Sequence, residues 1–142
     1  MKIPDVNILL SIVDENSVNH QKVLPWWRSV MADDEPVGFA WVVILGFIRI
    51  STSTPAFLSP LSPDVALTIV EQWLSAPNAV IIHPTERHGE ILRGLIETVG
   101  TAGNLTTDAH IAALAIEYGG DVYSADNDFR RFRGLRWMNP LV

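Results

Sequence analysis

The 142-residue chain contains no cysteine. That excludes disulfide bridges, zinc–thiolate centres and thiol nucleophiles, and it fits a reducing compartment. Long apolar runs are missing too. The longest, Val37 to Ile48, falls well short of the roughly 20 residues that cross a bilayer. Asp5 interrupts the only early apolar run and no small-residue cleavage site follows, so no secretory leader is expected. A cytoplasmic protein without membrane contact is the expectation. Positive charge is also scarce, with 10 Lys and Arg against 16 Asp and Glu and a net charge of −6. A general nucleic-acid coat is disfavoured. A metal-dependent nuclease is not excluded, because its own carboxylates enter that sum and bound cations offset them.

What remains is 48% apolar and 18% charged, the composition of a compact fold, and the length suits one domain over residues 1–142. Lys2 to Val6 reads as a first strand, with Pro4 awkward in it because proline cannot donate to a ladder, and Asn7 to Val13 as the start of a helix. Ser17 to Met31 has a helical pattern, with Val18, Val23, Leu24, Trp27 and Met31 towards one face and Pro25 as a kink or break. Adjacent Trp26 and Trp27 cannot both face one core, so one of them is expected at the surface. Val37 to Ala40 reads as a second strand and Trp41 to Ile50 as a helix carrying Arg49. A Ser/Thr/Pro loop follows, then a helix capped by Ser62 with Pro63 at its first position. Ala79 to Ile82 is a third strand, Thr85 caps a helix through Val99, and Leu135 to Trp137 forms a short edge strand. Strands alternating with helices predict an α/β fold around a mostly parallel sheet of four or five strands.

The chemistry concentrates between Asn104 and Phe132. Asp108 opens an alanine-rich helix that stops at Gly119 and Gly120, a short strand Asp121–Ser124 follows, and Asp126 and Asp128 come directly after it. Asp5 occupies the matching junction after the first strand. Parallel sheets keep their ligands at the carboxyl ends of strands, and carboxylates gathered there without cysteine suit a hard cation such as Mg2+ or Mn2+. Each aspartate also has a purely structural reading: Asp5 as a helix cap, Asp108 as an acid in a first helical turn, Asp126 and Asp128 as turn formers. His20, His83, His88 and His110 show no ligand spacing and read as structural or surface residues.

DVNILL at the start, NLTTDAHIAALAIEYG and VYSADNDFRRF later, with WVVILGFIRIST and the terminal GLRW between and after them, resemble PIN-domain ribonucleases, in particular VapC-type toxins of bacterial toxin–antitoxin pairs. The resemblance implies a PIN-like three-layer α/β sandwich. It also implies a Mg2+- or Mn2+-dependent endoribonuclease, cutting transfer, ribosomal or messenger RNA, restrained by a VapB-like antitoxin and forming a homodimer. By position it implies metal binding by Asp5, Asp108 and Asp126, with Asp128 as a further catalytic contributor and Asn7 orienting the first aspartate. Gly46 stands where many members carry a glutamate. The arginines Arg130, Arg131, Arg133 and Arg136, with Arg49, would guide the RNA backbone by bidentate contacts to phosphate, against the alternative of a merely solvated face. Two other readings compete. A phosphatase with an aspartate nucleophile usually carries a second aspartate where Asn7 stands, and a catalytically silent PIN domain would bind RNA or a protein partner.

Overall fold

In a computed structural model describing all residues 1–142, five strands and six α-helices alternate along the chain. The strands are β1 (Lys2–Pro4), β2 (Val37–Ala40), β3 (Ala79–Ile82), β4 (Asp121–Tyr123) and β5 (Arg136–Met138). The helices are α1 (Val6–Val13), α2 (His20–Ala32), α3 (Trp41–Ser51), α4 (Pro63–Leu74), α5 (His88–Val99) and α6 (Thr106–Tyr118). The strands form one sheet in the order β3-β2-β1-β4-β5, and every pairing is parallel. The chain winds outward from β1 to β3, crosses back, and winds outward again from β4. The crevice between β1 and β4 is therefore the switch point at which such sheets bind ligands. None of the helices is long and apolar enough to cross a membrane.

β1 is shorter than the sequence suggests, because Pro4 ends it. The amides of Lys2 and Asp5 bond to Pro36 on one side and Tyr123 on the other. Pro4, in phase with Lys2, thus turns its missing N–H towards β2, where the only registered pair is Lys2 with Val37. Val18 precedes α2 and is 93% exposed, so it takes no part in the buried face, which consists of Val23, Trp27 and Val30. α2 also continues through Pro25 without a break. Neither tryptophan of the adjacent pair is fully exposed. Trp27 joins Phe39, Phe47 and Trp73 in an aromatic cluster, while Trp26 lies half-buried with its ring centroid 5.2 Å from that of Tyr123.

α6 carries the site, and its composition explains its place. Ala109, Ile111, Ala112, Ala113, Leu114 and Ala115 are all buried, so the helix is apolar around most of its circumference. Small side chains let it lie close to both β4 and α5. Gly119 ends it at φ 63°, a left-handed conformation that glycine adopts without strain.

A carboxylate cluster at the sheet's switch point

Asp5 follows β1, Asp126 lies just beyond β4, and Asp108 occupies the first turn of α6, which starts at the same edge. The fold thereby brings aspartates from three separate stretches of the chain to one crevice. Ligand oxygens of Asp108, Asp126 and Asp128 all lie within 4.8 Å of one another. Asp5 sits deeper, at 7% exposure, close enough for its charge to act on both Asp108 and Asp126.

Asp5 and Asp126 are held by the local backbone. Asp5 is the N-cap of α1, and one of its oxygens accepts from the Val6 amide at 2.7 Å. Its other oxygen accepts from the Ser124 hydroxyl at 2.8 Å and from Asn7 Nδ2 at 3.1 Å. Asn7 also donates to Ser124 Oγ at 2.9 Å, and its own Oδ1 accepts from the Ala125 amide at 3.0 Å. Asp126 caps the 3-10 turn Asn127–Arg131 by accepting from the Asp128 amide at 2.8 Å. The structural roles open to Asp5 and Asp126 are thus real. Asp126 combines its role with membership of the cluster, while Asp5 lies outside the group of three whose oxygens come together and acts on it through its charge.

Ser124 is the residue that sequence reasoning passed over. Its hydroxyl donates to Asp5 and accepts from both Asn7 and the Asp126 amide, using the full capacity of the group. The available signal was a small polar residue closing an apolar strand directly before an aspartate.

The electrostatics are those of a site short of positive charge. Burial pushes the Asp5 carboxyl up, against the hydrogen bonds that favour its ionised form. Asp108 is pushed up to about 7, first by burial and then by the negative charges of Asp5, Asp126 and Asp128. A helix N-terminus favours an anion, and here burial and like charge outweigh it. An all-oxygen, all-aspartate donor set whose members repel one another fits a hard divalent cation.

Gly46 has a packing reason. It is buried on α3 against α1, and a Cβ there would meet Val6 Cγ2 at 2.8 Å. The branched residue beside Asp5 fills the space that a longer side chain at position 46 would need. Arg49, one turn further along α3, is exposed and makes no ion pair. Arg130, Arg131 and Arg133 are likewise exposed and unpaired, whereas Arg136 is committed to Asp121 at 2.5 Å and to the Gly119 carbonyl at 2.8 Å. The crevice lies away from the two cavities of the molecule. The larger, about 430 Å³, lies between α2 and α4 around Trp27, Met31 and Trp73.

A second network was invisible in the sequence. Glu117, near the end of α6, accepts from the Thr85 amide at 2.7 Å, the Thr85 hydroxyl at 2.6 Å and His88 Nδ1 at 2.5 Å. His88 Nε2 in turn meets His110 Nδ1 at 2.9 Å. Thr85 does not cap α5, which begins three residues later with Arg87 before it. Its hydroxyl instead joins the β3–α5 loop to α6.

Comparison with known proteins agrees with this geometry. The PIN domain family model matches residues 2–135. The chain is 45% identical over 140 residues to ribonuclease VapC37 of Mycobacterium tuberculosis, covering 99% of this chain and 97% of that protein. It is 38% identical over 141 residues to ribonuclease VapC33 of the same species, covering 99% of each. Among solved structures, VapBC2 from Rickettsia felis bound to a promoter DNA fragment aligns with a TM-score of 0.71 at 16% identity, over 97% of each chain. M. tuberculosis VapC20, described as a sarcin–ricin loop cleaving toxin, aligns with a TM-score of 0.68 at 16% identity, over 96% of this chain and 99% of that one. At these identities the structural matches establish the fold.

Proposed function

The chain belongs to the PIN domain family, and on that premise we propose that it is an endoribonuclease, the toxin of a type II toxin–antitoxin pair, using Mg2+ or Mn2+ bound at the aspartate cluster. The observation that carries this reading is the convergence of Asp108, Asp126 and Asp128 above the buried Asp5, with Asp108 pushed up to about 7 by burial and by the charges of the other three acids. The reading treats residues 1–142 as one catalytic domain at work in the cytoplasm.

Asp5, Asp108 and Asp126 hold the cation in this account, with Asp128 at the exposed rim. Bound there, a divalent cation supplies the positive charge that phosphodiester hydrolysis needs and makes water more acidic. Asn7 and Ser124 hold the Asp5 carboxylate in one orientation, so that it meets the cation without first reorganising. Asp5, Asp126 and Asp128, whose charges raise Asp108, would repel it less with such a cation bound. Arg49, Arg130, Arg131 and Arg133, free of ion pairs, contact RNA phosphates and draw the strand across the crevice. An open crevice suits a polymer better than an enclosed pocket would.

The partner in this reading is a VapB-like antitoxin, since similarly folded proteins include toxin–antitoxin complexes. A homodimer completes the proposal. Trp41 and Leu45, 45% and 58% exposed and four residues apart on α3, form the kind of apolar stripe that a second copy covers. The test is incubation of the purified, partner-free protein with total cellular RNA and Mg2+ or Mn2+, with EDTA and Asp5→Ala as controls. Discrete products that vanish in both controls support the reading. Intact RNA at high enzyme and metal would favour the silent binding domain, for which Gly46, in the place of the usual glutamate, is the motive.

A further inference from the structure

Of the five tryptophans, Trp137 is the one joined to the acid cluster by a hydrogen bond. Its indole Nε1 donates to the Ser124 carbonyl at 3.0 Å. The hydroxyl of the same serine grips Asp5 and the Asp126 amide. Ser124 thus ties the half-buried indole and two of the acids into one rigid unit.

The indole is covered by a cation. The Arg130 guanidinium carbon lies over the ring, 5.4 Å from its centroid, and Arg130 has no carboxylate partner. Its neighbours differ. Arg131 and Arg133 have no aromatic ring beneath them, and Arg136 is bound to Asp121. A guanidinium drawn over an indole is held there by the ring's negative face, and its planar group suits stacking against a base. Proteins that read single-stranded RNA stack unpaired bases on aromatic rings and arginine planes in this way.

We propose that Arg130, held over Trp137, which is tied through Ser124 to the acid cluster, is a platform for one nucleobase adjoining the cleaved phosphodiester, and so helps to set the sequence preference of cleavage. This inference rests on the ribonuclease reading. It gives Arg130 a task beyond phosphate contact, one that charge alone cannot perform.

Lysine separates the two tasks, because it keeps the charge and loses the plane. The experiment maps cut sites in total cellular RNA with Mn2+, by sequencing the new 5′ ends, for wild type, Arg130→Lys, Arg131→Lys and Trp137→Phe. Arg130 is exposed, so its substitution leaves the fold intact and the test does not depend on the tryptophan variant folding. In Arg130→Lys, cleavage at preferred sites is expected to fall about tenfold while the base preference at one flanking position flattens. Arg131→Lys is expected to keep the wild-type preference. Trp137→Phe, which keeps an aromatic face but loses the bond to Ser124, is expected to blur the same position. The proposal is overturned if Arg130→Lys retains the wild-type preference at every flanking position, or if Arg131→Lys flattens it equally. A wild-type protein inert towards RNA would instead defeat the ribonuclease reading, and the platform would fall with it.

Discussion

Helix α6 carries two carboxylates in opposite electrostatic states. Glu117, near its end, is buried, which alone would raise its pKa. Three hydrogen bonds, from the Thr85 hydroxyl, His88 and the Thr85 amide, outweigh burial and hold it below the ordinary glutamate range. Asp108, in the first turn, has no such donors and faces three other acids, so it is pushed up to about 7. The chain completes one carboxylate from its own residues and leaves the other incomplete. The same helix thus satisfies one acid with donors of its own chain and sets the other among like charges, an arrangement that suits the cation binding proposed above.

The comparison breaks most visibly when the acids themselves are changed. Asp5→Asn and Asp108→Asn should each cut RNA cleavage by more than about 100-fold, since losing a group that merely supports a metal ligand already costs about 10- to 100-fold. Initial rates with Mn2+ check this. Asp108→Asn should unfold no earlier than wild type when metal is absent, because it removes a source of repulsion and breaks no hydrogen bond.

Next in size is the stabilisation by metal. At a free cation concentration about 100 times the dissociation constant, linkage predicts about 2.7 kcal/mol of added stability. Thermal unfolding with and without Mn2+ should show a clear rise in Tm for wild type and almost none for Asp108→Asn. Glu117→Ala reverses the pattern. Stripping the acceptor from Thr85 and His88 should cost about 1–3 kcal/mol of stability, read as a lower Tm, while the Tm rise on adding Mn2+ persists.

The comparison sharpens further with pH. Asp108 has a folded pKa raised from an unfolded value near 3.9 to about 7, so the unfolded chain releases its proton first. The penalty is absent below about pH 4, grows as pH rises towards about 7, and is complete above it. Compared in EDTA, Asp108→Asn should therefore match wild type at pH 4 and melt higher than wild type at pH 8.

The two regions also differ in how legible they were. The acid cluster could be read because its members sit at recurrent places, after β1, in the first turn of α6 and after β4, and because DVNILL and VYSADNDF resemble a known family. The α/β alternation and the five strands were readable from periodicity, and the start of α4 from Ser62 and Pro63, whereas Thr85 does not cap α5. Ser124 escaped because a serine at a strand end has many ordinary roles. The Glu117–His88–His110 network escaped because it joins separate helices, and spacing along one helix carries no trace of such a pairing. Val18 was misplaced because periodicity was extended past the start of α2. Gly46 was legible as a departure from the family, but its packing against Val6 was not, since that contact exists only once α1 and α3 meet.

The most direct test of the central claim is calorimetric titration of Mn2+ into the metal-free protein near pH 7, repeated in two buffers of different ionisation enthalpy. A cation that takes the place of the proton on Asp108 must release that proton. Wild type should bind Mn2+ with net proton release that fades at pH 8, and Asp108→Asn should bind more weakly and release none. Binding without proton release, or with equal affinity in the two proteins, would contradict the claim that the fold leaves Asp108 incomplete for a cation.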